Sequence, residues 1–473
     1  MPGARRARYA SRVLWRCGFA ALTVLAAALA VGGLQAQPLR ESPPEPPRSL
    51  TGLLQVVTGE DAERRAARAA LTASDDPRLT PMILEMLPFA PARAEQQELY
   101  ALLRTRSGQR IGDDLDAWWR WWWAQKSPLH PDYGEFKAAL YRLIDPRFET
   151  YFRGRGLASA IRLDEVRWGG VRQDGIPPLR GPRMLRAGAA RYLDDSNVVF
   201  GIEVNGDVRA YPKRILAWHE MFVDTVGGVP VTGVYCTLCE SMILYESRIG
   251  DTVHELGTSG FLWRSNKVMY DRATQSLWNT IWGVPVHGPL AGKGLRLERR
   301  AAVTTTWGEW RRRHPQTQVL DLNTGHDRDY GEGVAYREYL ATDELMFTVP
   351  DDDARLKNKD QVLALLPRAA SGPALAIAVA YLRAHPLHEL SLGGVRLVVL
   401  TDRSGANRVY ETGDLRFAEW DGAASVTDAQ GRRWQLHEDA LTGPQGARLP
   451  RYPAHRAFWF GWRGAYPDTA LVR

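Results

Sequence analysis

The pattern of apolar and polar positions changes near residue 150. Before this point, apolar residues recur at helical spacing over residues 62–71, 79–86, 95–104 and 113–124, with short breaks between the segments. After residue 151, short alternating apolar runs are interrupted by Gly, Pro and Asp-Arg pairs, which is typical of strands and hairpins. The sequence therefore predicts an α+β protein, in which a helical segment precedes a β-rich domain.

The helical segment, residues 49–150, contains paired helices of the length found in HEAT-type repeats, which usually serve as scaffolds. A run of tryptophans, W-W-R-W-W-W at 118–123, ends this array. It is either an aromatic surface for a sugar or a membrane, or one side of a buried helix. The usual burial of aromatic side chains favours the second interpretation.

The β-rich domain, residues 155–473, contains an internal duplication. Residues 297–320 and 449–472 share Leu, W-x-x-W, Pro and Thr at identical spacing, and G-V-P-V-T-G-V-Y-C at 228–236 parallels G-V-R-L-V-V-L-T-D at 394–402. Upstream, R-A-Y-P at 209–212 is matched with R-A-H-P at 383–386. We infer two copies of one β-rich unit, at about 196–320 and 373–473. Each W-x-x-W is predicted to form a short helix with both tryptophans on one face.

Charge and the N-terminal segment indicate where the protein acts. The formal charge is +7, but five arginines lie within residues 1–36, so the remaining chain carries only +2 and does not have a nucleic-acid footprint. These arginines precede an apolar run at 17–34, typical of a signal peptide cleaved near residue 36. The alternative is an uncleaved membrane anchor. A proline-rich linker follows at 37–48. We expect an exported protein, periplasmic or extracellular.

The mature chain would retain two cysteines, Cys236 and Cys239, in the stretch Y-C-T-L-C-E-S. The second copy has D-R-S-G at 402–405 in their place, so the scaffold does not require cysteines at this turn. Two cysteines separated by two residues can chelate a metal, exchange electrons or close a disulfide. Strand-like sequence on both sides favours a metal knuckle over a thioredoxin-type site, in which the pair opens a helix.

A metal would need further ligands. His219 is the first candidate and Met269 the second, and Glu220 is a fourth ligand or a general base acting on metal-bound water. A Cys₂His set suits zinc, whereas Cys with Met and His suits Cu(I). A core position for Met269 and a hydrogen-bonded role for His219 are the alternatives. Asp271 and Arg272 either belong to the site or pair across a hairpin. Two further histidines, His254 and His287, lie nearby.

Several longer motifs resemble those of one family. They are P-K-R-I-L-A-W-H-E (212–220), Y-C-T-L-C-E-S (235–241), T-S-G-F-L-W-R-S-N-K-V-M-Y-D-R-A-T-Q-S-L-W (258–278) and F-W-F-G-W-R-G-A-Y-P-D-T (458–469). Together they resemble the domain of unknown function numbered 3179. The resemblance covers most of residues 155–473 and implies the following signature positions: His219, Glu220, Cys236, Cys239, Ser259, Gly260, Met269, Tyr270, Asp271, Arg272 and Trp278. The family usually has C-P-L-C-G, whereas this chain has Thr237 for the proline and Glu240 for the glycine.

Three hypotheses follow. The first is an exported metal-binding protein that holds zinc or copper with Cys236, Cys239, His219 and Met269. The second is a thiol–disulfide redox protein, with His219 tuning the thiolate. The third is a non-enzymatic scaffold for an unknown small molecule or protein, with an inert disulfide. A nucleophilic Ser259 in T-S-G and a calcium site at 351–353 have weaker support, because residues of these common types are most often structural or solvated.

Overall fold

The computed structural model describes residues 48–351, 353–368 and 372–473. The described chain forms two compact units: residues up to 149 together with 153–155, and residues 150–152 together with 156–473. The predicted signal peptide at 1–36 lies outside the described residues, as does the predicted linker at 37–48 except for its last residue. The predicted α+β class is confirmed, because helices precede a sheet-rich region.

The first unit is helical. Its helices, with the short one at the division between the units, are α1 Arg48–Thr58, α2 Asp61–Ala73, α3 Thr80–Met86, α4 Arg93–Ser107, α5 Leu115–Gln125, α6 Tyr133–Tyr141 and α7 Glu149–Phe152. Helix α5 carries the tryptophan run and begins where the Asp114 carboxylate accepts the Ala117 backbone N–H at 3.0 Å. Trp118, Trp119, Trp122 and Trp123 are buried, as expected for an aromatic helix face. The HEAT-like assignment stays a prediction.

The second unit contains twenty-nine strands among its described residues. Up to residue 320 they are β1 Val166–Trp168, β2 Leu179–Arg180, β3 Met184–Arg186, β4 Val198–Val204, β5 Asp207–Pro212, β6 Met221–Val226, β7 Val229–Cys236, β8 Ser241–Glu246, β9 Arg248–Ile249, β10 Thr252–Val253, β11 Leu256–Trp263, β12 Asn266–Asp271, β13 Leu277–Asn279, β14 Val284–His287, β15 Arg299–Arg300, β16 Val303–Thr306 and β17 Gln318–Leu320.

The strands after residue 320 are β18 Gln361–Leu365, β19 Leu375–Ala378, β20 Leu387–Leu392, β21 Val395–Thr401, β22 Asn407–Glu411, β23 Phe417–Trp420, β24 Ser425–Asp428, β25 Arg433–Leu436, β26 Ala440–Thr442, β27 Arg448–Pro450, β28 His455–Phe458 and β29 Ala470–Val472. Five short helices lie among the strands of this unit: α8 Lys213–His219, α9 Trp307–Arg313, α10 Arg337–Leu340, α11 Val379–Ala384 and α12 Trp459–Ala465.

Two sheets of the second unit have the same topology. One has the strand order β16-β4-β5-β17-β3 and the other β28-β18-β19-β29. In each, the second strand is antiparallel to the first and to the third, and the fourth runs parallel to the third. A short helix follows the third strand of both sheets, α8 in one and α11 in the other. The matched order and directions are what a duplication predicts.

The correspondence extends into the neighbouring sheets. Strands β6, β7 and β8 match β20, β21 and β22, and both first hairpins turn through a Gly-Gly pair with positive φ, at 227–228 and 393–394. The meander β11–β14 likewise matches β23–β26 in order. Both meanders lie within the predicted copies, and the structure adds the match between them, which the sequence comparison did not identify.

The register also corrects one sequence match. Ala210 pairs with Gly201 and Val319, and the same role belongs to Ala376, which pairs with Ala364 and Leu471. Residues 209–212 are therefore equivalent to 375–378, so the match of R-A-Y-P to R-A-H-P at 383–386 is wrong. The second copy also begins earlier than predicted, at β18. The two segments share three residues of common type, Arg, Ala and Pro, at positions that are not equivalent in the fold.

Each copy contains the same tryptophan–threonine contact. The W-x-x-W segments form helices α9 and α12, as predicted. Trp310 Nε1 donates to Thr317 Oγ1 at 3.0 Å, and Thr317 Oγ1 donates to the Val208 carbonyl at 3.1 Å. In the second copy, Trp462 Nε1 donates to Thr469 Oγ1 at 2.9 Å, and the hydroxyl donates to the Ala374 carbonyl at 3.0 Å. The threonine thereby ties the helix to the third strand of its sheet.

Replacing Thr469 by Val should lower the free energy of unfolding by about 1–3 kcal/mol, because the buried Trp462 N–H would lose its acceptor. The Ala374 carbonyl would keep the bond from the Ala470 N–H. Urea denaturation of both variants, Thr469→Val and Thr469→Ser, measures the effect. The serine variant keeps the hydroxyl and should recover most of the loss. Equal destabilisation by valine and serine would show that the hydrogen bonds contribute little.

Candidate functional site

The C-T-L-C stretch forms the loop of a β-hairpin. Strand β7 ends at Cys236, β8 begins at Ser241, and these two residues pair across the hairpin. The two sulfurs are joined as a disulfide, with the Cα atoms 5.3 Å apart. Cys236 is 3% exposed and Cys239 is fully buried. The pair therefore closes a tight loop and shows solvent only a small part of the first cysteine.

Glu240 ends the loop in a left-handed conformation, with φ of 49°. This geometry is costly for a residue with a side chain and accounts for the glycine usual in the related motif. The carboxylate compensates by accepting from Lys213 Nζ at 2.5 Å and from the Tyr235 hydroxyl at 2.8 Å. Glu240 thus takes the turn conformation of a glycine and adds a charged contact.

Cys239 is covered by the second copy. The Phe458 backbone N–H donates to the Cys239 carbonyl at 2.7 Å. A Cβ atom on Gly461, in helix α12, would lie 3.0 Å from the Cys239 Cβ, so a larger residue there would require the cysteine loop to shift. Asn266 completes the surroundings: its Oδ1 lies 2.9 Å from the Cys239 sulfur, and its amide donates to the Gly461 carbonyl at 3.1 Å. The first-copy loop is therefore anchored to the second copy.

A buried ion pair lies beneath the same loop. Lys267 Nζ donates to Glu220 Oε2 at 2.9 Å, and Thr237, between the two cysteines, donates to Glu220 Oε1 at 3.1 Å. All three residues are buried, and burial lowers the pKa of Lys267. Glu220 also has a left-handed backbone, with φ of 54°, at the end of α8. A buried charge pair and a non-glycine residue with a left-handed backbone, both beside two cysteines, are features that concentrate at functional sites.

The second copy lacks this entire group. We define the cysteine network as Cys236, Thr237, Cys239, Glu220, Lys267 and Asn266. Strand register and spacing give the equivalent positions of the second copy: Asp402 for Cys236, Arg403 for Thr237, Pro386 for Glu220, Ala424 for Lys267 and Ala423 for Asn266. In the second copy, Asp402 closes the loop by accepting the backbone N–H groups of Ser404 at 2.9 Å and Ala406 at 3.1 Å.

His219 lies at the end of α8 with both ring nitrogens engaged by the protein. Nδ1 is 2.9 Å from the Pro177 carbonyl, and Nε2 is 2.5 Å from the Tyr330 hydroxyl. Burial lowers the pKa of His219 to about 4, so the ring is neutral near pH 7. The equivalent residue of the second copy is also a histidine, His385. This recurrence is typical of a residue that belongs to the scaffold.

Met269, Asp271 and Trp278 also have counterparts in the second copy. Met269 is fully buried and pairs with Trp278, in the same register as Val426 with Trp434. The Asp271 carboxylate accepts the Thr274 N–H at 2.8 Å and contacts His254 Nδ1 at 2.8 Å.

Asp428, the counterpart of Asp271, closes the equivalent hairpin turn by accepting the backbone N–H of Gln430 at 3.0 Å. Arg272 pairs with Glu255 on the surface at 2.8 Å. Met269, Asp271 and Trp278 therefore maintain the β11–β14 meander.

Ser259, Gly260 and Tyr270 surround an irregularity in the pairing of β11 with β12. The Ser259 hydroxyl donates to the Val268 carbonyl at 2.6 Å and accepts the Phe261 N–H at 3.0 Å, and Gly260 has φ of 85°. Tyr270 donates to Asp174 at 2.6 Å, and burial with this carboxylate raises the pKa of Tyr270 to about 12. The hydroxyl of Ser259 is thus used to shape a bulge.

Across residues 48–351, 353–368 and 372–473, no group of three or more His, Cys, Asp or Glu side chains is arranged to hold a metal ion. Within the same ranges, no helix is long and apolar enough to cross a membrane.

Sequence reasoning identified Cys236, Cys239 and Glu220 but missed Lys267 and Asn266. Both lie within the quoted motif S-N-K-V-M-Y, at 265–270. The signal that identifies them is their replacement by alanine in the second copy, which becomes visible once the two meanders are aligned. His219 and Met269, by contrast, lie in scaffold positions.

The chain belongs to the family described as protein of unknown function, DUF3179, whose model matches residues 173–469. Comparison with curated proteins and with solved structures gave no match. The matched range contains every member of the cysteine network.

Replacing Lys267 by Met should lower the free energy of unfolding by about 3–5 kcal/mol, because it leaves the Glu220 carboxylate buried without a cation. Adding Glu220→Gln to this variant should recover much of the loss. Chemical denaturation of the single and double variants measures the coupling. Arg272→Met is the control, since its pair with Glu255 is exposed and worth about 0–1 kcal/mol. A loss no larger than in this control would contradict the buried pair.

The depressed pKa of His219 predicts a pH dependence of stability. Its folded-state pKa of about 4 is below the unfolded value of 6.5, so the neutral ring stabilises the fold fully above pH 6.5, and this stability is lost as the pH falls toward 4. The loss over this window should be about 3 kcal/mol. Unfolding free energies between pH 7 and 4 should fall less steeply for His219→Gln than for the wild type. His385→Gln, at the exposed counterpart, should keep the wild-type slope. Equal slopes for all three proteins would exclude His219 as the cause.

Proposed function

We propose that this protein is an exported thiol–disulfide redox protein, with Cys236 and Cys239 as the exchanging pair. One observation carries the proposal: the bonded cysteines contact a buried Glu220–Lys267 pair through Thr237, and the sister copy folds without any of these residues. The network costs desolvation energy that the scaffold does not require. We therefore assign the network to chemistry and not to folding.

A purely structural disulfide has less support. The equivalent loop of the second copy is closed by the Asp402 carboxylate, which accepts two backbone N–H groups. A hairpin that can be closed by one aspartate does not need a covalent bond. A structural disulfide also leaves the ion pair beneath the loop without a role.

A zinc or copper site also has less support than redox exchange. The two sulfurs are bonded to each other, whereas a metal binds thiolates. Both ring nitrogens of His219 have partners within the protein, and Met269 occupies a core position that recurs as Val426. Metal binding would therefore require reduction of the disulfide and a rearranged His219.

The exchange requires a dithiol partner when the protein acts as the oxidant. A thiolate of the partner attacks one sulfur, the Cys236–Cys239 bond breaks, and the other sulfur leaves as a thiolate with the bonding electron pair. The second thiolate of the partner then resolves the mixed disulfide. Two electrons and two protons pass to Cys236 and Cys239, and the partner leaves as a disulfide.

The geometry suggests roles for the neighbouring groups. Cys236 is the sulfur to be attacked, because Cys239 is fully buried beneath Gly461. Glu220 and Lys267 lie one hydrogen bond beyond Thr237, where they provide a proton acceptor and a positive charge for the thiolate state. Access to Cys236 requires the loop to move, and Tyr339, whose hydroxyl donates to the Leu238 carbonyl at 2.8 Å, helps to hold it closed.

The test is a redox titration of the mature chain, residues 37–473, in glutathione or dithiothreitol buffers, with thiols counted by alkylation and mass spectrometry. We expect a reversible two-electron transition with a potential above about −300 mV, since structural disulfides generally lie below this value. Metal content is measured on the reduced protein in parallel. One zinc or copper per reduced chain would favour the metal hypothesis, and a potential below −300 mV would favour the structural disulfide.

Glu220→Gln tests the neighbouring groups. It should slow reduction of the disulfide by dithiothreitol about tenfold near pH 7, because the proton acceptor beyond Thr237 is lost. Glu246→Gln is the matched control, since Glu246 lies on the same hairpin but pairs with Arg300, away from the cysteines. The same rate in both variants would remove Glu220 from the exchange.

A further inference from the structure

The Asn266 side chain, at the start of β12, is buried against both copies of the second unit. Its amide nitrogen has two acceptors, the Gly461 carbonyl at 3.1 Å and the Arg264 carbonyl at 3.3 Å. An amide nitrogen carries two hydrogens, so both are used by the protein. The amide oxygen, Oδ1, lies 2.9 Å from the Cys239 sulfur. Asn266 therefore faces the disulfide with its acceptor atom.

The two carbonyl groups fix the direction of this amide. In the reverse orientation, Oδ1 would lie against the carbonyl oxygens of Gly461 and Arg264, and both hydrogen bonds would be lost. Arg264 is itself held in place, because it pairs with Glu165 at 2.7 Å and donates to the Gly464 carbonyl at 3.1 Å. Contacts from both copies thus direct Oδ1 toward the sulfur.

The Cys239 sulfur faces two hydrogen-bond acceptors. Besides Oδ1 of Asn266, the Ser265 carbonyl oxygen lies 3.6 Å from it. A disulfide sulfur has no proton to donate, and across the part of the chain that the structure describes no N–H or O–H group donates to this Oδ1. After reduction, a thiol at Cys239 would supply the missing donor, whereas a thiolate would face two oxygen atoms.

The second copy keeps Cys239 in these surroundings when the disulfide opens. The residue is fully buried, and the Phe458 backbone N–H donates to its carbonyl at 2.7 Å. On the other side, a Cβ atom on Gly461 would lie 3.6 Å from the Cys239 sulfur. The sulfur therefore has little space in which to turn away from Asn266.

We propose that Asn266 holds the reduced Cys239 as a thiol, which leaves Cys236 as the cysteine that ionises and attacks. This inference rests on the proposed redox function and adds to it a residue that contacts a reacting sulfur. When a dithiol reduces the protein, the S–S bond breaks and its two sulfurs take up two electrons. One proton from the dithiol binds Cys239, and the new S–H donates to Asn266 Oδ1. Because this hydrogen bond exists only in the reduced state, Asn266 raises the reduction potential.

Infrared spectroscopy of the reduced mature chain tests the protonation state, since its only thiols are Cys236 and Cys239. The S–H stretching band lies where other protein groups do not absorb, so it reports protonated thiols directly. Between about pH 6 and about pH 9, Cys239→Ser should lose this band at lower pH than Cys236→Ser does. Identical behaviour of the two single-thiol variants, or earlier ionisation of Cys239, would overturn the proposal.

Asn266→Ala assigns the effect to the amide, since alanine is the residue at the equivalent position of the second copy, Ala423. It should lower the equilibrium constant for reduction about tenfold, or about 30 mV in the potential, through loss of the acceptor. In the Cys236→Ser background, it should also move ionisation of Cys239 to lower pH. Thr469→Val is the control, because it weakens the second copy without contacting the sulfurs and should keep the wild-type potential.

The possible failures are distinct. A wild-type potential below about −300 mV would exclude the redox function, whereas a wild-type potential in Asn266→Ala would exclude only the role of Asn266. If Asn266→Ala does not fold, the band frequency of Cys236→Ser provides the test. It should lie below that of a free thiol such as dithiothreitol, because the Cys239 S–H is hydrogen-bonded. A band at the free-thiol frequency would overturn the proposal.

Discussion

The fold depends on a threonine hydroxyl that joins a helix to a strand far away in sequence. In each copy, the last strand runs parallel to the third, and the chain between these two strands makes a long excursion, residues 213–317 in the first copy and 379–469 in the second. Closing so long a loop is entropically unfavourable. Thr317 and Thr469 hold the closure by bonding a tryptophan and the strand at once. The cysteine network lies within the excursion that this contact closes.

The two copies allow residues shared by both to be separated from residues present in only one. Residues that recur in both copies, such as the Trp–Thr contacts, the Gly-Gly turns and the turn-closing aspartates Asp271 and Asp428, maintain the shared architecture. Residues that differ between the two copies are not required for the shared architecture. In the first copy they assemble the cysteine network.

Much of the fold could be predicted from local pattern. The helical-to-β transition, the W-x-x-W helices and the second-copy replacement of the cysteines all depend on short-range spacing. The candidate site could be predicted only in part. Glu220, Thr237 and Lys267 come from a helix end, a hairpin loop and a different sheet, so their contact is a tertiary event. The sequence indicated His219 as a metal ligand, yet its hydrogen-bond partners, Pro177 and Tyr330, are remote in sequence. The periodicity of apolar residues does not predict hydrogen bonds between residues so far apart in the chain.

The approach of Gly461 to Cys239 has an evolutionary consequence. The two halves of the duplicated domain constrain each other, because a side chain at position 461 would require the cysteine loop of the other half to shift. The hydrogen bond from Phe458 to Cys239 adds to this dependence. The second copy, which has no cysteines, therefore covers one side of the cysteine network. Its sequence is expected to co-vary with that of the cysteine loop across the family.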